Sequence, residues 1–338
     1  MSPSDPPAPV DRTHLREQLV RLILGSDAEL TGEQVSQQGD FDYEEARRLW
    51  RALGFPEVAG AAAFGRHDVA ALDSVRDAME TGLLDEQTVY RMTRALGRTM
   101  SRLADWQVEA LVEQVERDVS VGKADSRLER AVELARLAAP GFEQLMLYAW
   151  RRHLAAAAAR IEALGATEDE LLSSYLTVGF VDLSRFTSLS NDLDEDALGH
   201  LVEDFEDECT DVVTEGGGRV IKTLGDAVLF TADDAAKGAR IALDLITHMA
   251  GRTSIPDVKV GLATGSVLSR MGDVFGPPVN LAARLTGVAR SNRLLVDEAT
   301  ASQLGAEFEQ RTLPPRSLRG FGLVSPITVS ERRTFRST

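Results

Sequence analysis

Acidic, basic and amide residues stand in three apolar frames of the C-terminal half: G-F-V-D-L-S-R-F-T, R-V-I-K-T-L-G-D-A-V-L-F and G-D-V-F-G-P-P-V-N-L-A-A-R-L. They supply Asp182, Lys222, Asp226, Asp273, Asn280 and Arg284, and Arg319 follows in L-R-G-F-G. Asp182 ends a buried apolar run, and Asp226 sits in a tight turn after Gly225. Two carboxylates at strand ends can converge on Mg²⁺ or Mn²⁺, which prefer oxygen ligands and accept substrate phosphates as partners. A two-metal arrangement activates an attacking oxygen and stabilises the leaving one. Taken singly, each aspartate reads more readily as a turn or cap residue. Lys222 interrupts a strand otherwise fit for burial, so its ammonium needs a carboxylate or ligand acceptor unless its stem reaches solvent. Asn280 and Arg284 lie on one face of one helix. A planar guanidinium suits a phosphoryl group gaining charge, whereas capping and solvation is the plainer role for that pair.

The elements that must position these residues alternate from Tyr175 onward. L-T-V-G-F-V-D predicts a buried strand, and E-D-A-L-G-H-L-V-E-D-F-E-D-E-C-T-D-V-V an amphipathic helix with Asp194 as its N-cap. Two strands surround the Gly225–Asp226 turn, and a helix follows over about 234–250. V-K-V-G-L-A-T-G and S-V-L-S read as a strand pair, 279–288 as a helix, L-L-V-D as a strand, with short strands near 326–330. The order β-α-β-β-α-β is that of a ferredoxin-like sandwich. Residues 13 to about 165, in contrast, read as helix after helix, with no convincing alternating strand. One apolar stripe runs from Phe142 to Leu164 at the 3.6-residue period, between Gly141 and Gly165. It predicts a long helix joining two domains. The expected organisation is α+β: a disordered tail (1–12), a helical domain (13–141), a linker helix (142–170) and a ferredoxin-like catalytic domain (171–332).

Composition narrows the function. The 338 residues are 43% hydrophobic and 27% charged, with a formal charge of −16 and a pI near 4.8. That balance repels a phosphate backbone and opposes general nucleic-acid binding, but local cations and metal ions can still reverse the field in a cleft. The segment L-T-G-E-Q-V-S-Q-Q-G-D-F-D-Y-E-E-A-R-R-L-W faintly resembles a helix-turn-helix. Its second helix opens Asp42, Tyr43, Glu44, Glu45, the wrong charge to face DNA, so a helical bundle is favoured. The single cysteine, Cys209, excludes an internal disulfide and any Cys-based zinc site, and reads as a half-buried thiol. No signal peptide opens the chain, and no apolar run approaches the ~20 residues that span a bilayer, so a cytoplasmic protein without a transmembrane segment is expected. The phosphate loops G-x-x-x-x-G-K-[ST] and G-x-G-x-x-G, and the motifs H-E-x-x-H and G-x-S-x-G, are absent.

In order and spacing, the constellation resembles the class III nucleotidyl cyclases over about Leu176 to Val329. The resemblance implies a ferredoxin-like fold and a head-to-tail homodimer with active sites at the interface. It implies that Asp182 and Asp226, with the carbonyl of Leu183, hold two Mg²⁺ or Mn²⁺ ions per site. Lys222 and Asp273 match the pair that reads the base, and their types suit adenine, where guanylate cyclases usually carry Glu and Cys. Asn280 would orient the ribose, Arg284 stabilise the transition-state phosphate, and Arg319 contact the terminal phosphates. The implied reaction is attack of the ribose 3′-hydroxyl of ATP on the α-phosphorus, giving cyclic AMP and pyrophosphate. D-L-S-R-F-T departs from the family in placing Arg185 where Gly is frequent; a Cβ there is strained if φ is positive, while the arginine could add charge for the triphosphate. R-R-L-W-R-A-L-G-F-P and the long helix resemble, more weakly, the regulatory domain of mycobacterial pH-responsive adenylate cyclases. That implies autoinhibition and a proton or lipid signal, with His153 as candidate sensor, although a core role for this histidine is the plainer reading. The alternatives are a catalytically silent nucleotide-binding or dimerisation module, opposed by the presence of both Asp182 and Asp226, and a guanylate cyclase, opposed by Lys222 and Asp273. A diguanylate cyclase is opposed by the absence of G-G-D/E-E-F.

Overall fold

The structure, a computed structural model, describes residues 12–56, 60–82, 84–163, 173–270 and 272–332. The chain forms two compact units, Met1–Ala158 and Ala159–Thr338. Apart from Arg12, which opens the first helix, the expected tail lies outside the described residues.

The first unit is helical: α1 (Arg12–Leu24), α2 (Gly32–Gln38), α3 (Tyr43–Leu53), α4 (Arg66–Glu80), α5 (Glu86–Ser120) and α6 (Arg127–Ala163), which continues into the second unit. Local chemistry sets the ends. Thr31 and Gln34 form a reciprocal capping box at α2, Asp42 accepts from the amides of Glu44 and Glu45 at α3, and Gly54 ends α3 at φ 85°. Val35, Ala46, Leu49, Trp50, Phe64, Leu72 and Tyr90 form the core, with Trp50 stacked on Phe64 at 4.6 Å. The predicted helix beginning after Gly141 proves longer. α6 starts at Arg127 and passes through Pro140 and Gly141. A proline removes one hydrogen bond and crowds the preceding turn, but the Ala-, Leu- and Arg-rich turns on both sides are strong enough helix formers to carry the element across. Leu164 and Gly165 lie outside the described residues. His153 is exposed, so it is not a core histidine, and Trp150 beside it is 58% exposed. Among the described residues, no helix is long and apolar enough to cross a membrane.

The second unit is α+β: β1 (Ser173–Leu183), α7 (Phe186–Leu189), α8 (Glu195–Glu215), β2 (Arg219–Thr223), β3 (Ala227–Ala232), α9 (Ala235–Ala250), β4 (Val258–Arg270), β5 (Asp273–Phe275), α10 (Pro277–Val288), β6 (Arg293–Val296), α11 (Glu298–Ala301), β7 (Phe308–Thr312), β8 (Arg316–Leu318), β9 (Gly322–Val324) and β10 (Ile327–Glu331). The main sheet runs β2-β3-β1-β4-β6-β10-β7, with β5 folded back on β4 and β8–β9 a separate hairpin. Its antiparallel β2-β3-β1-β4 part, crossed by α8 and α9, is the expected ferredoxin-like unit.

Strand alternation divides the core by face. Val181, Leu183, Val228, Phe230, Val258, Val260 and Leu262 pack against α8 and α9, which contribute Phe205, Cys209, Val213, Ile241, Leu245 and Met249. Leu201, Phe205, Cys209 and Val213 recur every fourth residue of α8 and bury one stripe. Cys209 is fully buried rather than half-buried, and burial pushes its thiol pKa up. The opposite face, with Val178, Leu229, Ala263 and Val267, is covered by α10 and by Val274 of the β5 arm. The expected strand pair at 258–270 is instead one continuous strand. Gly265 does not break it: a Cβ there would meet Pro278 at 2.8 Å, so this glycine admits the start of α10 close to the strand.

Candidate active site

Two of the candidate residues, Asp182 and Lys222, belong to the sheet face covered by α10. Asp182 lies directly opposite Lys259 on β4 and Ala227 on β3. Phe180, Leu229, Lys222 and Gly261 form the next row on the same face. Lys222 reaches this row through a β-bulge: the register passes from Val220↔Phe230 to Lys222↔Leu229. Unbroken pairing would set Lys222 against Val228, on the buried α8–α9 face. The bulge thus aims the ammonium at the site.

Asp226 is held by the β2–β3 turn. Gly225 takes φ 75° at the first central position, and the Leu224 amide donates to the Ala227 carbonyl at 2.7 Å, as a two-residue hairpin turn with a leading glycine requires. The Leu183 amide donates to the Asp226 carbonyl at 2.9 Å. The turn is thereby fastened to the end of β1, and Asp182, Leu183 and Asp226 are brought together. Lys259 Nζ stands 2.7 Å from Asp182 Oδ1, both side chains about a quarter exposed. Sequence reasoning missed this lysine, although the argument that singled out Lys222 in an apolar strand applies equally to V-K-V-G-L.

Lys222 Nζ donates to Asp273 Oδ2 at 2.6 Å, and Asp273 Oδ1 accepts from the Val274 amide at 2.8 Å. The β5 arm therefore brings together the two residues expected to read a base. Asn280 and Arg284 are exposed on α10, which opens with Pro277 and Pro278 after Gly276 at φ 142°. Arg319 is exposed in the β8–β9 turn. None of these three forms a side-chain hydrogen bond or ion pair with Asp182, Asp226, Lys222 or Asp273 among the described residues.

The donor set suits a hard divalent cation. It offers carboxylate and carbonyl oxygens without His or Cys, and the described residues hold no group of three or more metal-binding side chains. Oxygen donors of this kind suit Mg²⁺-type binding, in which one or two carboxylates act with waters and substrate phosphates. Ser184, next in sequence, is 6% exposed and its hydroxyl has no hydrogen-bond partner among the described residues, a further oxygen at the same strand end. Arg185 takes φ 64°, ψ 23°, so the departure from glycine noted in the sequence does fall at a left-handed position.

The family described as the adenylate and guanylate cyclase catalytic domain matches residues 172–328. An adenylate cyclase of Streptomyces coelicolor is 41% identical over 283 residues, covering 84% of this chain and 74% of that protein. An adenylate cyclase of Glutamicibacter nicotianae is 35% identical over 328 residues, 92% of this chain and 81% of its own. A pH-sensitive adenylate cyclase of Mycobacterium tuberculosis is 28% identical over 312 residues, 89% of this chain and 78% of its own. These likenesses extend through the helical unit as well as the sheet, and the chain belongs to the class III adenylate cyclases.

Proposed function

We propose that the chain cyclises ATP to 3′,5′-cyclic AMP and pyrophosphate in a homodimer, under control of its helical unit. The observation that carries the reading is the meeting of Asp182 and Asp226 at one strand end, one row from the Lys222–Asp273 pair. Two Mg²⁺ or Mn²⁺ ions held by Asp182, Asp226 and the Leu183 carbonyl would lower the pKa of the ribose hydroxyl and stabilise charge on the phosphates.

The protein's own groups do the positioning. Lys222 donates to ring nitrogen N1 and Asp273 accepts from the 6-amino group of adenine, an edge on which guanine presents a carbonyl and a protonated nitrogen instead. Asn280 orients the ribose so that its 3′-oxygen faces the α-phosphorus. As that oxygen bonds to the α-phosphorus its proton passes to solvent water, and the bond from the α-phosphorus to the oxygen bridging to the β-phosphate breaks, the electron pair leaving with pyrophosphate. Arg284 offsets charge growing on the transferring group. Arg319 and Lys259 supply further positive charge for the leaving pyrophosphate. Since Asn280 and Arg284 bond to neither aspartate among the described residues of one chain, a second copy presenting α10 would complete each site, and twofold symmetry would give two.

Control by the helical unit is supported by the extent of the likeness to the pH-sensitive relative, and a proton signal is the regulator proposed. Purified full-length protein given ATP or GTP with Mn²⁺ should form cyclic AMP from ATP and little cyclic GMP. No cyclic nucleotide from the full chain, or from residues 171–338, would overturn the reading. A pH response equal in the two would remove the regulatory part alone.

A further inference from the structure

We infer that Arg185 binds the terminal phosphates of the nucleotide held at the Asp182–Asp226 site, an inference that rests on the cyclase reading. Its backbone supplies the first argument. Arg185 is the residue before α7 and takes φ 64°, ψ 23°. The other non-glycine residues at positive φ among those described are Asp40 and Asn292, types whose short polar side chains make the left-handed region accessible. Arginine has no such excuse, and a glycine would hold the same turn without the steric cost.

The turn does not need the arginine side chain. Its conformation is fixed through the backbone: the Arg185 carbonyl accepts from the amides of Ser188 and Leu189, each at 3.1 Å, and from the Ser188 hydroxyl at 3.1 Å. One residue earlier, the Ser184 amide donates to the Asp257 carbonyl at 2.7 Å. A strained residue kept by its surroundings, beside the site's metal-binding positions, is where strain is expected to serve a function.

The guanidinium supplies the second argument. Arg185 is exposed, and its side chain makes no hydrogen bond or ion pair among the described residues. This is notable in a chain with 53 acidic and 37 basic residues. The surroundings carry Asp182, Asp226 and Asp257, while the nearby ammonium, Lys259, is already engaged with Asp182. A triphosphate entering here adds negative charge beside these carboxylates, and the guanidinium fork matches a phosphate bidentately. Arg185 would thus select for a triphosphate tail, independently of the base.

The test uses full-length protein, Mn²⁺ and 3′-deoxyadenosine mono-, di- and triphosphate, which cannot cyclise. Affinities are measured by calorimetry for wild type, Arg185→Gly and Arg185→Lys. The expected result is about a tenfold loss of triphosphate affinity in Arg185→Gly, a smaller loss in Arg185→Lys and no change for the monophosphate. The melting temperature of Arg185→Gly should match or exceed wild type, since glycine relieves the left-handed strain. Equal triphosphate affinity in wild type and Arg185→Gly, or an equal loss for mono- and triphosphate, overturns the role of Arg185 and leaves the cyclase reading intact. A wild-type protein that binds no triphosphate overturns both.

Discussion

Lys259 Nζ stands 2.7 Å from Oδ1 of Asp182, so a metal ion at the proposed site would meet an ammonium already engaged with one of its carboxylates. The pair is partly exposed, so its attraction is moderate, on the order of 1 kcal/mol after screening. That is enough to matter to a site whose two carboxylates have few other partners. Lys259→Met should therefore tighten Mn²⁺ binding to the nucleotide-free protein by about three- to tenfold, read by electron paramagnetic resonance, while weakening binding of the ATP analogue. Unchanged Mn²⁺ affinity would mean that the ammonium does not contest the ion. Asp182, Asp226 and Asp273 stood out in the sequence through the order and spacing of the whole set, and Lys222 as a charged type in an apolar strand, where such a residue needs a partner. Lys259 met the same criterion. What linear reading lacks is the partner: Asp182 and Lys259 face each other through β-sheet register, which the motifs do not spell out.

The elements were mostly legible, and the exceptions share a physical cause. At Gly265 and Pro140, local breakers were outweighed by the surrounding strand and helix. The β2 bulge, which turns Lys222 onto the site face, leaves no mark in R-V-I-K-T-L. Gly261 offers a direct test of how closely α10 must lie on β4. A Cβ there would fall 2.5 Å from both the Ala282 carbonyl oxygen and the Thr286 amide nitrogen. Gly261→Ala should destabilise the unit by about 1–3 kcal/mol, lowering the melting temperature by roughly 2–10 °C. It should also reduce turnover, because Asn280 and Arg284 ride on the displaced helix; an unchanged melting temperature would contradict the packing. A second clamp joins α8 to α9, where Glu208 meets His248 and Arg252. The hydrogen bond from His248, with the Arg252 charge, holds the Glu208 carboxyl below its ordinary 4.5 against the opposing effect of desolvation. A depressed acid stabilises the fold above its unfolded pKa and loses that contribution as pH falls through the folded value. The stability difference between wild type and Glu208→Gln should accordingly shrink as pH falls below about 4.5, as followed by urea melts at a series of pH values.

At the scale of the whole molecule, the decisive question is whether one chain holds a complete site. Each chain carries every expected residue, yet Asn280 and Arg284 make no bond to Asp182 or Asp226 among the described residues. If the proposed homodimer builds each site from the aspartates of one copy and the α10 residues of the other, Asp182→Ala and Arg284→Ala should each be inactive alone. Both substitutions fall on partly or fully exposed side chains, so the fold should survive them. Mixing the two variants under conditions that allow exchange makes heterodimers about half the population. Each heterodimer then has one site with both residues intact and one with neither, which sets the expected recovery at about a quarter of wild-type activity. A site complete within a single chain would give no recovery at all, because every site would then carry one defect. The same mixture, diluted stepwise, should lose its recovered activity more steeply than in proportion to concentration, because the heterodimers that carry it part.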